Sequence, residues 1–493
     1  MSKLAKTSSW IKNFPELEFS GEKVFCKACA KIIVCEKKFQ IDQHMKTPLH
    51  KAKLQKMKSE PVQVSVKNAF KNVGEKSKSE KEIFEVDLCK ALVAANIPLK
   101  KLQNPQLRGF LQKYCKQTIP DESTLRKKNV HSVYETVLEE IRASLGDKNF
   151  YIVVDESTDA CGRYIAHLMI GALQEDKATN PYLIASKQLD KTNNMTITRF
   201  IQQSLSSFFL PNPVPDEKFL VLLSDAAPYM VKVGQNLRIF YPNMIHVTCL
   251  LHGINRVAET VRTEYTLVNK LISNVKKVFL KAPLRVQLYK ERLPGVSLPP
   301  EPVITRWGTW IKAAIFYAEH FEGIKQLILD LDDDSQCVVQ SKELLKSASV
   351  AKDLVFIKVN FSFIPDIIFS LESRNLSLRD SISIVETFSA KCNNIPGKVG
   401  GQVRNKLDVT VKKNEGFKYL TAVKSIYEGK PSNEVVPWPY TLLPKLQYCP
   451  ITSVDVERSF SLYKHIFTDR RQSFLVNNFE KYLVINAFYT ISC

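Results

Sequence analysis

Three acidic residues carry the first chemical signal in this chain. Asp155 follows the apolar run Phe150-Tyr-Ile-Val-Val154, and Asp225 follows Phe219-Leu-Val-Leu-Leu223-Ser224. Glu457 lies in Thr452-Ser-Val-Asp-Val-Glu-Arg-Ser-Phe-Ser461. Carboxylates that converge on a hard divalent cation, Mg2+ or Mn2+, suit phosphoryl chemistry on nucleic acid, because oxygen ligands hold the metal while the metal stabilises charge on phosphorus. An Asp at the end of a buried strand sits where an open α/β sheet places its chemistry. The same residues have a plainer reading as turn or helix-cap residues, which Asp155-Glu-Ser-Thr158 and Asp225-Ala-Ala227 also fit. Spacing alone leaves both readings open.

A second constellation is Cys26-Lys-Ala-Cys29 with His44-Met-Lys-Thr-Pro-Leu-His50. Two thiolates on a tight knuckle and two imidazoles can close a tetrahedron around Zn2+, and in so small a module the metal would supply much of the folding free energy. With Trp10 and Phe14 ahead of the cysteines, this arrangement resembles the BED-type zinc finger and the finger of CGG-triplet-repeat-binding proteins. The resemblance implies a DNA-binding module. Lys37, Lys38, Lys46, Lys51 and Lys53 flank the ligands and are expected to meet phosphates, which position a protein without reading bases.

The rest of the chain must position these groups. It has 493 residues, too many for one core, so two or more domains are expected. Its 70 Lys and Arg outnumber 50 Asp and Glu, a net charge of +20 that favours an anionic polymer as partner. Residues 1–82 hold 18 Lys against 9 acidic residues, so the excess is concentrated there. No run approaches the roughly 18 apolar residues of a membrane span. No secretory signal is visible, so the cysteines are expected to be reduced.

Residues 59–82 read as a Lys- and Ser-rich linker, and helical periodicity follows through Ser132–Ser144. Five short apolar strands come next: Phe150–Val154, Tyr164–Leu173, Tyr182–Leu189, Phe219–Leu223 and Met244–Cys249. The first three are expected to form an antiparallel meander, with helices at Thr196–Phe209 and Ala226–Phe240. Beyond Gly253 the pattern is helical: Leu271–Phe279, Trp310–Leu331, Val338–Leu345 and Leu354–Leu371, with a Gly- and Pro-containing break at Asn393–Asn405. An Asp on the first strand and another after the fourth is the layout of an RNase H-like core. Asp330-Leu-Asp-Asp-Asp334 reads as a solvated turn. There is no P-loop, no dinucleotide-binding glycine motif and no nucleophile elbow.

Val154-Asp-Glu-Ser-Thr158, Leu223-Ser-Asp-Ala-Ala-Pro228, His246-Val-Thr-Cys-Leu-Leu-His252, Thr305-Arg-Trp307 and Val454-Asp-Val-Glu-Arg-Ser-Phe-Ser461 occur in the order seen in hAT-family transposases. The similarity runs from about Ala91 to the C-terminus. This resemblance implies that Asp155, Asp225 and Glu457 are the catalytic acids and hold Mg2+ or Mn2+. It implies that Cys249 and His252 support the active site, and that Arg306 and Trp307 contact DNA, the indole stacking on an extruded base. It also implies an α/β fold in which an all-helical insertion interrupts an RNase H-like core, preceded by a small zinc finger and a helical region.

The expected domains are a finger at 1–58, the linker at 59–82, a helical DNA-binding region at 83–148, the first part of the core at 149–254, the insertion at 255–435, and the end of the core with a dimerisation region at 436–493. Phe460, Leu462, Ile466, Phe474, Leu475, Leu483 and Ile485 are expected in that last region. The implied function is metal-dependent strand cleavage and transfer on double-stranded DNA in the nucleus, by a homodimer or higher homo-oligomer, with no membrane and no small-molecule substrate. The alternative is a catalytically silent DNA-binding regulator that keeps the fold.

Overall fold

The computed structural model describes residues 10–11, 14–20, 23–29, 31–33, 37–59, 79–303, 308–432, 434–468 and 476–490. It is a mixed α/β fold, mostly helical. Contacts divide the chain into two compact units, one of residues 1–175, 179–246 and 453–493, the other of 176–178 and 247–452.

In the first unit, β1 (Leu17–Ser20), β2 (Lys23–Cys26) and β3 (Lys31–Ile33) form a small antiparallel sheet followed by helices Lys38–Lys46 and Pro48–Ser59. Leu17, Val24, Ile33 and Ile41 bury around Cys26 and Cys29, with Trp10 and Phe14 packed against that cluster. Most of the expected linker, residues 60–78, lies outside the described residues. The next helix, Glu80–Ala94, starts at a capping box: Ser79 Oγ accepts from the Glu82 amide at 3.3 Å, and Glu82 reaches back to the Ser79 amide. Helix Val130–Leu145 buries Val133, Val137, Leu138 and Ile141, the stripe that its spacing predicts.

The main sheet consists of β4 (Asn149–Thr158), β5 (Tyr164–Leu173), β6 (Tyr182–Leu189), β7 (Phe219–Ser224) and β8 (Ile245–Thr248), in the order β6-β5-β4-β7-β8. The meander β4-β5-β6 is antiparallel as expected, and β7 lies parallel to β4. Helices Asn194–Phe209 and Pro228–Leu237 connect β6 to β7 and β7 to β8. β7 is buried throughout, as is β4 through Asp155, which explains their unbroken apolar runs. Gly171 faces Tyr151 across the β4–β5 pair, where a Cβ would fall 2.3 Å from the tyrosine ring.

Asp155 does not end its strand, because β5 continues to pair with β4 through Thr158. What ends near Asp155 is the parallel pairing with β7, whose last pair is Val153 with Leu223.

Among its described residues the second unit is built almost entirely of helices, from Leu250–Glu264 to Glu415–Tyr427. It is wider than the expected insertion because its ends are tied in. Asn414 accepts from the Thr248 amide at 3.0 Å and donates to the Thr248 carbonyl at 2.6 Å, and the Leu250 amide donates to the Ile451 carbonyl. Two expected long helices are each broken, at His320 and at Ser362. The expected break at Asn393–Asn405 is instead mostly helix Gly397–Lys412. Its glycines permit close packing there: a Cβ on Gly400 would meet the Ile395 carbonyl oxygen at 2.1 Å. The Asp330–Asp334 turn forms ion pairs from Asp330 to Arg292, Asp333 to Lys342 and Asp334 to Arg285. Among the described residues, no single helix is long and apolar enough to cross a membrane.

Two imidazoles are held neutral in the first unit, His167 fully buried and His246 half-buried. Burial pushes His167 from 6.5 down to about 3 and His246 down to about 4. The unfolded chain protonates both near 6.5 while the native fold does not, so stability is full above that pH and is lost as pH falls. Urea unfolding should show stability declining below about pH 6.5, by up to about 1.4 kcal/mol per pH unit for fully buried His167. A flat profile down to about pH 4.5 would contradict the neutral assignment.

Candidate metal centres

The finger brings its four sequence-predicted ligands together. Cys26, Cys29, His44 and His50 are all buried, and their ligand atoms lie within 4.8 Å of one another. His50 Nδ1 is 3.5 Å from Cys26 Sγ and 3.4 Å from Cys29 Sγ. Zinc bonds of about 2.3 Å to sulfur and about 2.0–2.1 Å to nitrogen at a tetrahedral angle give an edge near 3.6 Å, so the spacing fits Zn2+. The Cys29 amide points at Cys26 Sγ at 3.4 Å, which helps to hold a thiolate on the knuckle.

The two imidazoles do not share one continuous helix. The chain breaks at Thr47, because a residue before proline is disfavoured in the helical region and Pro48 starts the next helix. Thr47 Oγ1 donates to the His44 carbonyl and accepts from the His50 amide, bridging the break. Burial pushes the Cys26 thiol up to about 12, so a metal must displace its proton.

The first unit also gathers the acids. Helix Val454–Ile466 packs on β4 and β5, and carboxylate oxygens of Asp155 and Glu457 approach within 4.8 Å. Asp155 is buried at 6% exposure. Asp225 directly follows β7, the strand that pairs in parallel with β4 up to Val153 and Leu223. Asp225 Oδ1 also accepts from the Ala227 amide at 3.0 Å, so the turn role applies to it as well. These oxygen donors suit a hard cation.

Four nearby residues escaped the sequence reading. Tyr229 donates to Glu156, the neighbour of Asp155, and its pKa stands above the ordinary range through burial and that hydrogen bond. His167 pairs directly with Asp155 across β4 and β5, so both side chains leave the same face. Its ring stacks on Phe460 with centroids 4.0 Å apart, and its Nδ1 lies 2.7 Å from Ser459 Oγ. His167 Nε2 has no hydrogen-bond partner among the described residues. Such a buried orphan costs about 1–3 kcal/mol, while the Ser459 bond returns only about 0.5–1.5 kcal/mol. Stability alone therefore does not favour histidine at this position. His167 and Ser459 are 292 residues apart, so no local pattern could pair them.

The other predicted residues are placed as follows. Cys249 is buried at the start of helix Leu250–Glu264, and His252 is half-buried in its first turn. Arg306 and Trp307 lie outside the described residues, as do Phe474 and Leu475. Lys37, Lys38, Lys46 and Lys51 are exposed, whereas Lys53 is half-buried with Nζ 3.6 Å from Met195 Sδ. Phe460, Ile466, Leu483 and Ile485 are buried within the first unit, and Leu462 is half-buried, so these side chains complete the chain's own core.

Residues 75–131 match the family described as the CGGBP1 helical domain. Residues 120–278 match the domain of unknown function DUF659, a family found in hAT-type transposase-like proteins. That second match spans β4 to β8 and includes Asp155 and Asp225. The chain is 28% identical over 124 residues to CGG triplet repeat-binding protein 1 of Mus musculus, and equally to that of Homo sapiens. The aligned stretch covers 24% of this chain and 74% of each relative.

Metal content tests the finger. Purified protein should carry one zinc, and Cys26→Ser should lose it. Zinc affinity should rise with pH, by about tenfold per unit for each proton displaced. Unchanged metal content in Cys26→Ser would refute the ligand assignment.

Proposed function

We propose that this is a DNA-binding, transposase-related protein whose first unit cuts and joins DNA strands with Mg2+ or Mn2+. The observation that carries the reading is the convergence of Asp155 and Glu457 where helix Val454–Ile466 packs on the sheet, with Asp225 directly after the adjoining strand β7. The strand order, with β4 antiparallel to β5 and parallel to β7, supports an RNase H-like core. The DUF659 match supports descent from a hAT-type transposase, and the named relatives support DNA as the ligand.

In this reading Cys26, Cys29, His44 and His50 hold Zn2+ and fold the finger, which carries Lys37, Lys38, Lys46 and Lys51 to phosphates. Asp155, Asp225 and Glu457 would hold the divalent cation, which supplies charge stabilisation at phosphorus when bound. Cys249 and His252 would support the site, and Arg306 and Trp307 would contact DNA near the cut. Residues 83–148 would add DNA contacts, residues 255–435 would interrupt the core, and residues 436–493 would complete it. A nuclear, homo-oligomeric enzyme follows from the same family reading.

The test is incubation of the purified chain with duplex DNA bearing candidate terminal repeats and Mg2+ or Mn2+. Strand cleavage is expected in wild type and no cleavage above background in Asp155→Ala, with DNA binding retained. Binding without cleavage in wild type, unchanged by that substitution, would overturn the enzyme and leave the silent regulator.

A further inference from the structure

The acid-bearing helix Val454–Ile466 reaches the sheet from far along the chain, and something must fix its rotation and axial position. Apolar contacts from Val456 and Phe460 press it onto β4 and β5 but tolerate sliding, because burial is not directional. The Tyr463 hydroxyl, which donates to Asp159 Oδ2 at 3.1 Å, anchors only the far end of the helix from Glu457. A buried hydrogen bond is directional.

Ser459 Oγ lies 2.6 Å from the Val456 carbonyl and 2.7 Å from His167 Nδ1. A hydroxyl has one proton, and a carbonyl can only accept, so Ser459 donates to Val456. It must then accept from His167, which fixes the imidazole as the Nδ1–H tautomer. That ring leaves the sheet on the same face as Asp155, its cross-strand partner, and Ser459 stands two residues after Glu457. One hydrogen bond therefore links the strand neighbour of the first acid to the helix of the third.

We propose that His167 and Ser459 are positioning residues: their hydrogen bond seats the Glu457 helix and so sets the gap between the Glu457 and Asp155 carboxylates. Neither residue is assigned to bind the metal. The inference rests on the acids acting as a metal site, but the seating itself can be read without metal.

The experiment uses the full chain as wild type, Ser459→Ala, His167→Phe and His167→Asn. Phenylalanine keeps the stacked ring and removes the donor, whereas asparagine offers an N–H near the place of Nδ1. Hydrogen exchange of residues 454–466 is measured without divalent cation, and Mn2+ affinity is measured by electron paramagnetic resonance. Ser459→Ala and His167→Phe should exchange faster in that helix and bind Mn2+ about tenfold or more weakly, with His167→Asn near wild type. Exchange and affinity both unchanged in Ser459→Ala and His167→Phe would overturn the proposal. So would a lowered melting temperature with Mn2+ affinity intact, which marks a merely structural contact. If wild type binds no Mn2+, the metal reading fails and exchange alone decides the seating: faster exchange upholds it, and unchanged exchange overturns it.

Discussion

The architecture of the first unit depends on β4 being paired along both edges. β5 holds it antiparallel from Asn149 to Thr158, and β7 holds it parallel from Phe150 to Val153. Residues 149–155 are all buried, as befits a central strand covered on both faces. The phenyl rings of Phe150 and Phe219 stack at 5.2 Å where β7 joins it, a contact worth about 0.5–1.5 kcal/mol beyond burial. Each candidate acid is located relative to this strand. Asp155 lies on it, Asp225 follows the strand beside it, and Glu457 rides on the helix that covers it.

The same unit includes the Cys26, Cys29, His44 and His50 cluster, so this candidate zinc site and the sheet are structurally connected. Phe25 alternates with Val24 and Cys26 along β2 and turns away from the cysteine cluster, where it meets Phe240 edge-on at 4.5 Å. Arg199, on the helix before β7, donates to the carbonyl of Ala28 within the cysteine knuckle at 2.6 Å. The knuckle thus presents its sulfurs inward to the two imidazoles and its backbone outward to the core.

Much of this was legible in the sequence because it follows from local period and local chemistry. The C-x2-C spacing, the apolar runs at Phe150 and Phe219 and the helical stripe through Val133, Val137 and Ile141 each carry their own signature. What was not legible depends on packing partners, near or far along the chain. The length of β4 past Asp155 is set by β5, and the helix from Gly397 survives its glycines because Gly400 packs against Ile395. The breaks at His320 and Ser362 interrupt apolar periodicity that runs on in the sequence. The His167–Ser459 bond joins residues whose individual types are unremarkable. A histidine in a strand and a serine in a helix acquire meaning only when the fold places them opposite each other.

The central claim is that Asp155, Asp225 and Glu457 form one cation site on the sheet. Crystals of the full chain soaked in Mn2+ and measured at the manganese absorption edge test it most directly. An anomalous peak is expected between the carboxylates of Asp155 and Glu457, within reach of Asp225, and should vanish in Glu457→Gln. Anomalous peaks confined to other acidic surfaces, with none at these residues, would contradict it.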